Sequence, residues 1–250
     1  MSTGVLEGKV ALVTGASRGL GAAIARGYAA AGATVICAAR SVDQLADVVA
    51  SDPARLSALE LDVAAPDSLQ PAIDRIVAEH GRIDILVNNA GVAPAGDFLV
   101  HDPDVWRRTL EINVIAPMLL AQAAGNHMVA TGGGKIINIA STTGVRGKPG
   151  LVAYSTSKGA VMRFTESLAA EWARHNIQVN TIAPGAFSTE AQKAVTDDPD
   201  LLHKRVRRIP AKRMGDPTEI VPLAVLLASA GSDFITGSTY VIDGGEAGKL

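Results

Sequence analysis

The sequence is poor in the residues on which disulfides, metal sites and stacking platforms depend. It has one cysteine, Cys37, in 250 residues, which excludes an internal disulfide framework and is typical of proteins from the reducing cytoplasm. Its five histidines have no metal-ligand spacing, so no zinc or other metal site is expected. Aromatic residues make up only 4% of the chain, and Trp106 and Trp172 are interpreted as packing residues.

No charge of one sign dominates either. The 23 lysines and arginines nearly balance 25 acidic residues and leave a formal net charge of −2, so neither a nucleic acid nor an anionic membrane is expected as a partner. The first nine residues have no basic segment followed by an apolar run, so a secretory signal is not expected. These absences favour a cytoplasmic protein, and the hydrophobic content of 48% is enough for a large buried core.

Short apolar runs typical of strands alternate with longer helical patterns along the chain. Strands are predicted over residues 9–14, 34–38, 56–61, 85–87, 135–140, 178–182 and 239–242. Helices are predicted over residues 19–31, 42–50, 67–79, 103–128, 152–174 and 218–228. Apolar strands that are each followed by a helix indicate a parallel sheet covered on both faces. The predicted fold is α/β, one Rossmann-type domain over residues 1–250 with a doubly wound parallel sheet of about seven strands.

The least regular region spans residues 184–217, between the sixth strand and the last helix. Ligands of such sheets bind at the carboxyl ends of the strands, and this position favours a substrate lid. A solvated surface helix and loop is the alternative. The region carries a basic cluster of Lys204, Arg205, Arg207, Arg208, Lys212 and Arg213.

A glycine-rich turn follows the first strand and opens the first helix. Gly15 allows a sharp turn, Gly19 lets the backbone approach a pyrophosphate, and Gly21 lets the helix pack closely on the strand. The spacing is G-x3-G-x-G, where the commoner pattern is G-x-G-x-x-G. The free N–H groups and positive dipole end of the helix attract phosphates. The predicted phosphate-binding residues are Gly15, Ser17, Arg18, Gly19, Leu20 and Gly21.

The end of the second strand indicates which dinucleotide binds. NAD sites usually have an acidic residue there, which accepts a hydrogen bond from the ribose 2′-hydroxyl. Here the strand ends in Ala39-Arg40-Ser41, without a carboxylate. Arg40 and Arg18 could clamp a 2′-phosphate through charge-assisted hydrogen bonds. We therefore expect NADP(H), with NAD and a merely solvated Arg40 as the alternatives.

With the remaining motifs, the chain resembles the short-chain dehydrogenase/reductase family from end to end. Each motif is common by chance, but the ordered set, with Ser141 thirteen residues before Tyr154, is specific. Within the family, the sequence as a whole is similar to 3-oxoacyl-carrier-protein reductases and gluconate 5-dehydrogenase-like enzymes. The motifs, in family order, are Thr14-Gly-x3-Gly-x-Gly21, Asp62, Asn88-Asn-Ala-Gly91, Asn113, Ser141, Tyr154-x3-Lys158, Pro184-Gly185 and Asp243-Gly-Gly245.

The resemblance implies a cofactor site along the ends of the strands. Asp62 and Val63 would hold the adenine ring. Tyr154 and Lys158 would contact the cofactor as well, with Lys158 binding the nicotinamide ribose hydroxyls. The residues implied at the nucleotide's ribose are Asn88, Asn89, Ala90 and Gly91. Those implied at the nicotinamide are Pro184, Gly185, Phe187 and Thr189, of which Thr189 would bond the carboxamide.

Tyr154 and Lys158 are one helical turn apart, so both project from the same face. An unperturbed tyrosine has a pKa of about 10, and both a nearby ammonium and an oxidised nicotinamide favour the phenolate. Lowering that pKa by about three units needs roughly 4 kcal/mol. One unit charge about 4 Å away supplies that much at an effective dielectric near 20.

These residue types suggest a division of catalytic roles. Tyr154 is assigned as general acid in reduction and general base in oxidation, and Lys158 as the group that tunes it. Ser141 would hydrogen-bond the carbonyl oxygen and orient it. The resemblance adds Asn113, which would anchor a water in a proton relay.

The sequence therefore predicts an NADP-dependent oxidoreductase that reduces a ketone or oxidises a secondary alcohol. The alternatives are an NAD-dependent dehydrogenase of a sugar acid or hydroxy compound, and a non-catalytic nucleotide-binding protein of the same fold. The resemblance also implies a homotetramer, with the tail 246–250 near a neighbouring subunit. The substrate is expected to be a small molecule. Its pocket would be lined by the lid and by Thr142, Thr143, Val145, Arg146, Ala186 and Phe187.

Overall fold

The fold is described from a computed structural model that covers residues 4–248. Residues 1–3 lie outside the described residues; they are part of the N-terminal segment in which no secretory signal is expected. Residues 249–250 of the predicted tail contact also lie outside the described residues.

Seven strands of the described chain form one parallel sheet. Its order is β3-β2-β1-β4-β5-β6-β7, and every neighbouring pair is parallel. The direction of the order reverses at β1, so the carboxyl ends of β1 and β4 open a crevice. The predicted doubly wound parallel sheet is confirmed. The strands are β1 Val10–Thr14, β2 Thr34–Ala39, β3 Leu56–Glu60, β4 Ile85–Asn88, β5 Gly134–Ile139, β6 Ile177–Pro184 and β7 Thr239–Ile242.

Helices cover both faces of the sheet. No helix within residues 4–248 is long and apolar enough to cross a bilayer. The α-helices are α1 Gly19–Ala30, α2 Ala46–Ala50, α3 Leu69–His80, α4 Pro103–Leu110, α5 Ala116–Ala130, α6 Thr142–Val145, α7 Val152–Trp172, α8 Lys193–Thr196, α9 Pro199–Val206 and α10 Val221–Ala228. Short 3-10 segments connect or extend them at Val42–Leu45, Pro66–Ser68, Phe98–Val100, Ala173–His175, Glu190–Gln192, Pro217–Ile220 and Ala230–Ser232.

The two faces of the sheet carry separate hydrophobic cores, because successive strand residues point to opposite sides. Leu12 of β1 packs in the cluster that also contains residues of α3 and α5. The next residue, Val13, packs in the cluster formed with α1 and α10. Cys37 of β2 is fully buried in this second cluster, and burial raises the pKa of its thiol to about 12. Cys37 is therefore a small core residue and no nucleophile.

The prediction of one uninterrupted helix over 103–128 is wrong. α4 ends at Leu110, a π-helical turn spans Glu111–Ile115, and α5 starts at Ala116. Pro117 has no N–H to donate to the carbonyl of Asn113 four residues earlier, so the α-helical hydrogen-bond ladder cannot continue through this point. Single π turns inside helices are frequently found at functional sites.

Candidate active site

The glycine-rich turn has the backbone that its sequence requires. Gly15 and Gly19 have φ values of +63° and +57°, in the left-handed region that favours glycine. A Cβ on Gly21 would lie 2.3 Å from the carbonyl oxygen of Gly15, so only glycine fits there. Arg18 stands at the N-cap of α1 with extended backbone, and no side chain caps this helix start. The first N–H groups of α1 therefore remain available for an anion.

Two residues at the end of neighbouring strands hold this turn in place. Asn89 donates from its side-chain Nδ2 to the carbonyl oxygens of Thr14 and Gly15, at 2.9 and 3.1 Å. Thr14 Oγ1 accepts from the backbone N–H groups of Asn89 and Ala90, at 3.0 and 3.1 Å. These four hydrogen bonds join the ends of β1 and β4 across the crevice.

Asn88 does not line the crevice, and the expectation that it would contact a ribose is wrong. Its side chain is 4% exposed and donates to Asn138 Oδ1 of β5 at 2.9 Å. Because strand side chains alternate, Asn88 points into one core while the next residue, Asn89, faces the crevice.

One cavity of about 480 Å³ runs along the carboxyl edge of the sheet. All the predicted cofactor residues line it except Asn88, and so do Ser141, Tyr154 and Lys158. We refer to this cavity as the cleft. Several other lining residues carry no local sequence signal that predicts them, among them Gln44, Arg108, Ile112, Ile139, Glu190 and Gln192.

The β2–β3 end of the cleft is positively charged. Arg18 and Arg40 are exposed there, and within residues 4–248 neither forms an ion pair. Asp62 Oδ1 accepts from the backbone N–H of Ala64 at 3.0 Å, which caps the turn after β3. Unpaired guanidiniums beside a free helix N-terminus fit a dinucleotide that carries an extra phosphate on its adenosine ribose.

The predicted catalytic groups meet at the other end of the cleft. Tyr154 and Lys158 lie on one face of α7, and the Lys158 ammonium is 5.8 Å from the centre of the Tyr154 ring. Ser141 follows β5 and caps α6, where its Oγ accepts from the backbone N–H of Thr143 at 3.2 Å. The Ser141 hydroxyl is close enough to the Tyr154 side chain to influence its ionisation.

The ionisation of these groups differs from the sequence-based expectation. Burial raises the pKa of Tyr154, and the neighbouring Ser141 hydroxyl lowers it by a smaller amount. Burial also lowers the pKa of Lys158, from 10.5 to about 8. The side chains of this chain therefore keep the Tyr154 phenol protonated at neutral pH, which is the form that a general acid needs.

Asn113 lies in the π turn and does not line the cleft. Its Oδ1 accepts from the Val92 N–H at 2.9 Å, and its Nδ2 donates to the Val92 carbonyl at 2.8 Å and to Ser157 Oγ at 2.9 Å. Ser157 in turn donates to the carbonyl oxygen of Tyr154 at 2.7 Å. Asn113 thus ties the segment after Gly91 to α7, and its role in anchoring a water stays a prediction.

The region 184–217 covers one end of the cleft. Thr189 packs over the glycine turn, since a Cβ on Gly19 would lie 3.3 Å from Thr189 Cγ2. Thr189 and Glu190 also line a second cavity of about 820 Å³ under α8 and α9. The basic cluster does not act as one patch, because Arg205 pairs with Glu246 and Arg213 with Glu219.

A metal centre would need several ligating side chains close together. Within residues 4–248, no group of three or more histidine, cysteine, aspartate or glutamate side chains is placed to hold an ion.

The fold and the sequence of this chain match those of a known family. A family model of the short-chain alcohol dehydrogenase type, described as enoyl-(acyl carrier protein) reductase, matches residues 15–246. The chain belongs to the short-chain dehydrogenase/reductase family. Its fold, its motifs and the named activities of its relatives make it an oxidoreductase.

Relatives and solved structures of this family cover nearly the whole chain. A 2-dehydro-3-deoxy-D-gluconate 5-dehydrogenase from Escherichia coli K12 is 41% identical over 243 residues, 96% of each chain. A D-threitol dehydrogenase from Mycolicibacterium smegmatis is 43% identical over 248 residues, 96% of this chain and 93% of the relative. The crystal structure of a gluconate 5-dehydrogenase from Burkholderia cenocepacia J2315, in complex with NADP and tartrate, superposes with a TM-score of 0.93 at 39% identity, covering 98% and 97% of the two chains.

Proposed function

We propose that this short-chain dehydrogenase/reductase transfers a hydride between NADP(H) and a ketone or secondary alcohol of a small polyhydroxylated substrate. The proposal rests on the two sets of residues that line the cleft. One end has a glycine turn, a free helix N-terminus and two unpaired arginines, and the other end has Ser141, Tyr154 and Lys158.

The cofactor would lie along the carboxyl edge of the sheet, with its adenosine at the β2–β3 end. The N–H groups at the start of α1 would bind the pyrophosphate. Arg40 and Arg18 would bind the 2′-phosphate, because Ala39-Arg40-Ser41 offers no carboxylate to a free 2′-hydroxyl. The gluconate 5-dehydrogenase neighbour, crystallised with NADP, supports this choice. The bound cofactor supplies the hydride in reduction and accepts it in oxidation.

The protein's own residues handle the carbonyl oxygen and its proton. Ser141 orients the carbonyl oxygen by a hydrogen bond. As hydride reaches the carbonyl carbon, the Tyr154 hydroxyl gives its proton to the oxygen, and the alcohol forms. In the reverse direction the phenolate removes the alcohol proton. Lys158, one turn further along α7, places a positive charge near that phenolate.

The substrate class rests on the relatives and on the polarity of the cleft. Named activities among the relatives include a threitol dehydrogenase and dehydrogenases of gluconate derivatives, all with several hydroxyl groups per substrate. Thr189, Glu190 and Gln192 line the cleft, whereas Thr142 and Thr143, which were expected to line the substrate pocket, are not among its lining residues. The polar side chains that line the cleft can pair with the several hydroxyls of a polyol or sugar acid.

The predicted homotetramer and cytoplasmic location are part of the proposal. Exposed apolar side chains on the α4–α5 side support an interface, among them Val105, Ile115 and Met118, with exposures of 37%, 38% and 41%. Light scattering on the purified protein tests the assembly, with a mass of four chains expected.

The decisive experiment follows NADPH absorbance over a substrate panel. The panel holds keto-sugar acids, ketoses related to short polyols, 3-oxoacyl thioesters, cyclic diketones and aryl ketones, each run with NADPH and with NADH. We expect decay on a keto-sugar acid or ketose, faster with NADPH. Faster turnover with NADH would contradict the cofactor assignment. Tight NADPH binding without turnover on any substrate would favour the non-catalytic alternative.

The Arg40→Asp variant tests separately whether Arg40 binds the 2′-phosphate of NADP(H). Losing a charge-assisted contact and adding a repulsive carboxylate should raise the KM for NADPH by roughly 10- to 100-fold, and NADH should be used at least as well as before. Arg163→Asp, on the exposed surface of α7, is the matched control and should leave both values unchanged. An unchanged KM for NADPH in Arg40→Asp would contradict a 2′-phosphate contact.

A further inference from the structure

Arg108 lines the cleft, although nothing in the local sequence marks it as a cofactor residue. It lies on α4, one helical turn before Ile112, so the two side chains share a face of the helical segment. Both line the cleft. The neighbouring Arg107 points elsewhere and binds Asp104 Oδ1 at 2.6 Å, with its side chain 74% exposed.

Residues that follow β3 line the same cleft as Arg108 and Ile112. Ile112 is 6% exposed and belongs to the hydrophobic cluster that contains Leu61 and Val63, the residues that follow β3. Asp62 lies between those two residues and also lines the cleft. The carboxyl end of α4 therefore borders the same cleft as Arg40 and the residues that follow β3.

Arg108 adds an uncompensated charge to the cleft. Its side chain is exposed, and within residues 4–248 it forms no ion pair. Arg18, Arg40 and Arg108 are the three guanidiniums that line the cleft, and Asp62 and Glu190 are its acidic residues among those described. A planar guanidinium without a carboxylate partner is well suited to bind a phosphate.

We infer that Arg108 is a third arginine of the 2′-phosphate site and binds the 2′-phosphoadenosine end of the cofactor from the α4 side of the cleft. This inference rests on the proposed function, because it assigns Arg108 to the cofactor proposed there. It adds a specificity-determining residue that is separated from Arg40 by 68 positions in the sequence.

Calorimetric binding of two adenosine fragments, which needs no turnover, tests the inference. The probes are 2′,5′-ADP, which carries the 2′-phosphate, and 5′-AMP, which lacks it. Arg108→Gln should weaken 2′,5′-ADP binding by about tenfold, the size of one moderate charge-assisted contact, and change 5′-AMP binding by less than about twofold. Arg107→Gln is the matched control, and it should bind both fragments like the wild type.

Two results would overturn the inference while leaving the proposed function intact. One is wild-type affinity of Arg108→Gln for 2′,5′-ADP, alongside a loss in Arg40→Gln. The other is equal weakening of both fragments, which would place Arg108 on the adenine. A wild-type protein that binds 2′,5′-ADP no more tightly than 5′-AMP would overturn the NADP assignment itself, and with it the inference.

Discussion

The ammonium group of Lys158 donates a 2.8 Å hydrogen bond to the backbone carbonyl oxygen of Ile139, at the end of β5. Lys158 is 5% exposed, and this burial lowers its pKa from 10.5 to about 8. The folded protein therefore binds fewer protons than the unfolded chain between about pH 8 and pH 10.5, and its stability rises with pH across that window. Below pH 8 the buried charge costs on the order of 3 kcal/mol.

Lys158→Met should abolish turnover and stabilise the protein at pH 7. The variant removes the buried charge but leaves the Ile139 carbonyl without its donor, a loss of about 1 kcal/mol. We expect a net gain of about 1–2 kcal/mol in the free energy of unfolding, measured by urea denaturation. The gain should shrink as the pH is raised from 8 to 10.

The exposed Lys148 provides the control for this experiment. Lys148→Met should leave the unfolding free energy unchanged at every pH. If the Lys158→Met variant differs from the wild type by the same amount at pH 7 and pH 10, the linkage argument is wrong.

A buried polar chain fixes α7 against the sheet. Asn138 of β5 donates to Thr165 Oγ1 of α7 at 2.9 Å, and Thr181 Oγ1 of β6 lies 2.7 Å from the same oxygen. All three residues are fully buried. Thr165→Val should cost about 1–3 kcal/mol of stability, because it leaves the buried Asn138 amide without an acceptor.

Thermal unfolding and steady-state kinetics together test this chain. The helix that it anchors carries Tyr154 and Lys158, so kcat should fall while the Kd for NADPH stays within about twofold. Thr165→Ser keeps the hydroxyl and should restore most of kcat. Thr131→Val, on the exposed end of α5, should change neither property, and full activity in Thr165→Val would refute the positioning role.

The segment 184–217, predicted to be a lid, is tied to the C-terminal segment by Arg205 and Glu246. The two side chains form a bidentate pair, with one contact at 2.7 Å, and are 19% and 23% exposed. Glu246→Gln weakens this pair and should loosen α9, which raises the KM for the carbonyl substrate by about 3- to 10-fold. The Kd for NADPH should not change.

Glu166→Gln breaks the exposed Arg163–Glu166 pair on α7 and serves as the control for the lid variant. It should leave the KM at the wild-type value, because exposed pairs contribute little. An unchanged KM in Glu246→Gln would show that the ion pair does not hold the lid.

Much of the fold and most of the site follow from local sequence patterns. Continuous apolar runs predict buried parallel strands, and each glycine of the turn has a backbone or packing requirement that sequence spacing reveals. Tyr154 and Lys158 share a helix face by their separation of four residues alone. For this reason all the predicted cofactor residues except Asn88 lie in one cleft.

The features that the sequence did not predict depend on tertiary structure, which local sequence patterns do not reveal. Asn88 and Asn89 are adjacent and chemically identical, and only strand alternation decides which of them faces the cleft. The π turn needs the combination of Pro117 with the packing of Asn113 against Val92 and Ser157. Arg108 enters the cleft because of where α4 docks, which depends on tertiary contacts of Ile112.

Tyr154→Phe removes only the hydroxyl that we assign as the proton donor, so its kinetics test that assignment. We expect kcat for ketone reduction to fall by about 10²- to 10⁴-fold, while NADPH binds within about twofold of the wild type. The control Tyr240→Phe, on β7, should behave like the wild type. Retained turnover in Tyr154→Phe, with NADPH bound normally, would contradict Tyr154 as the proton donor.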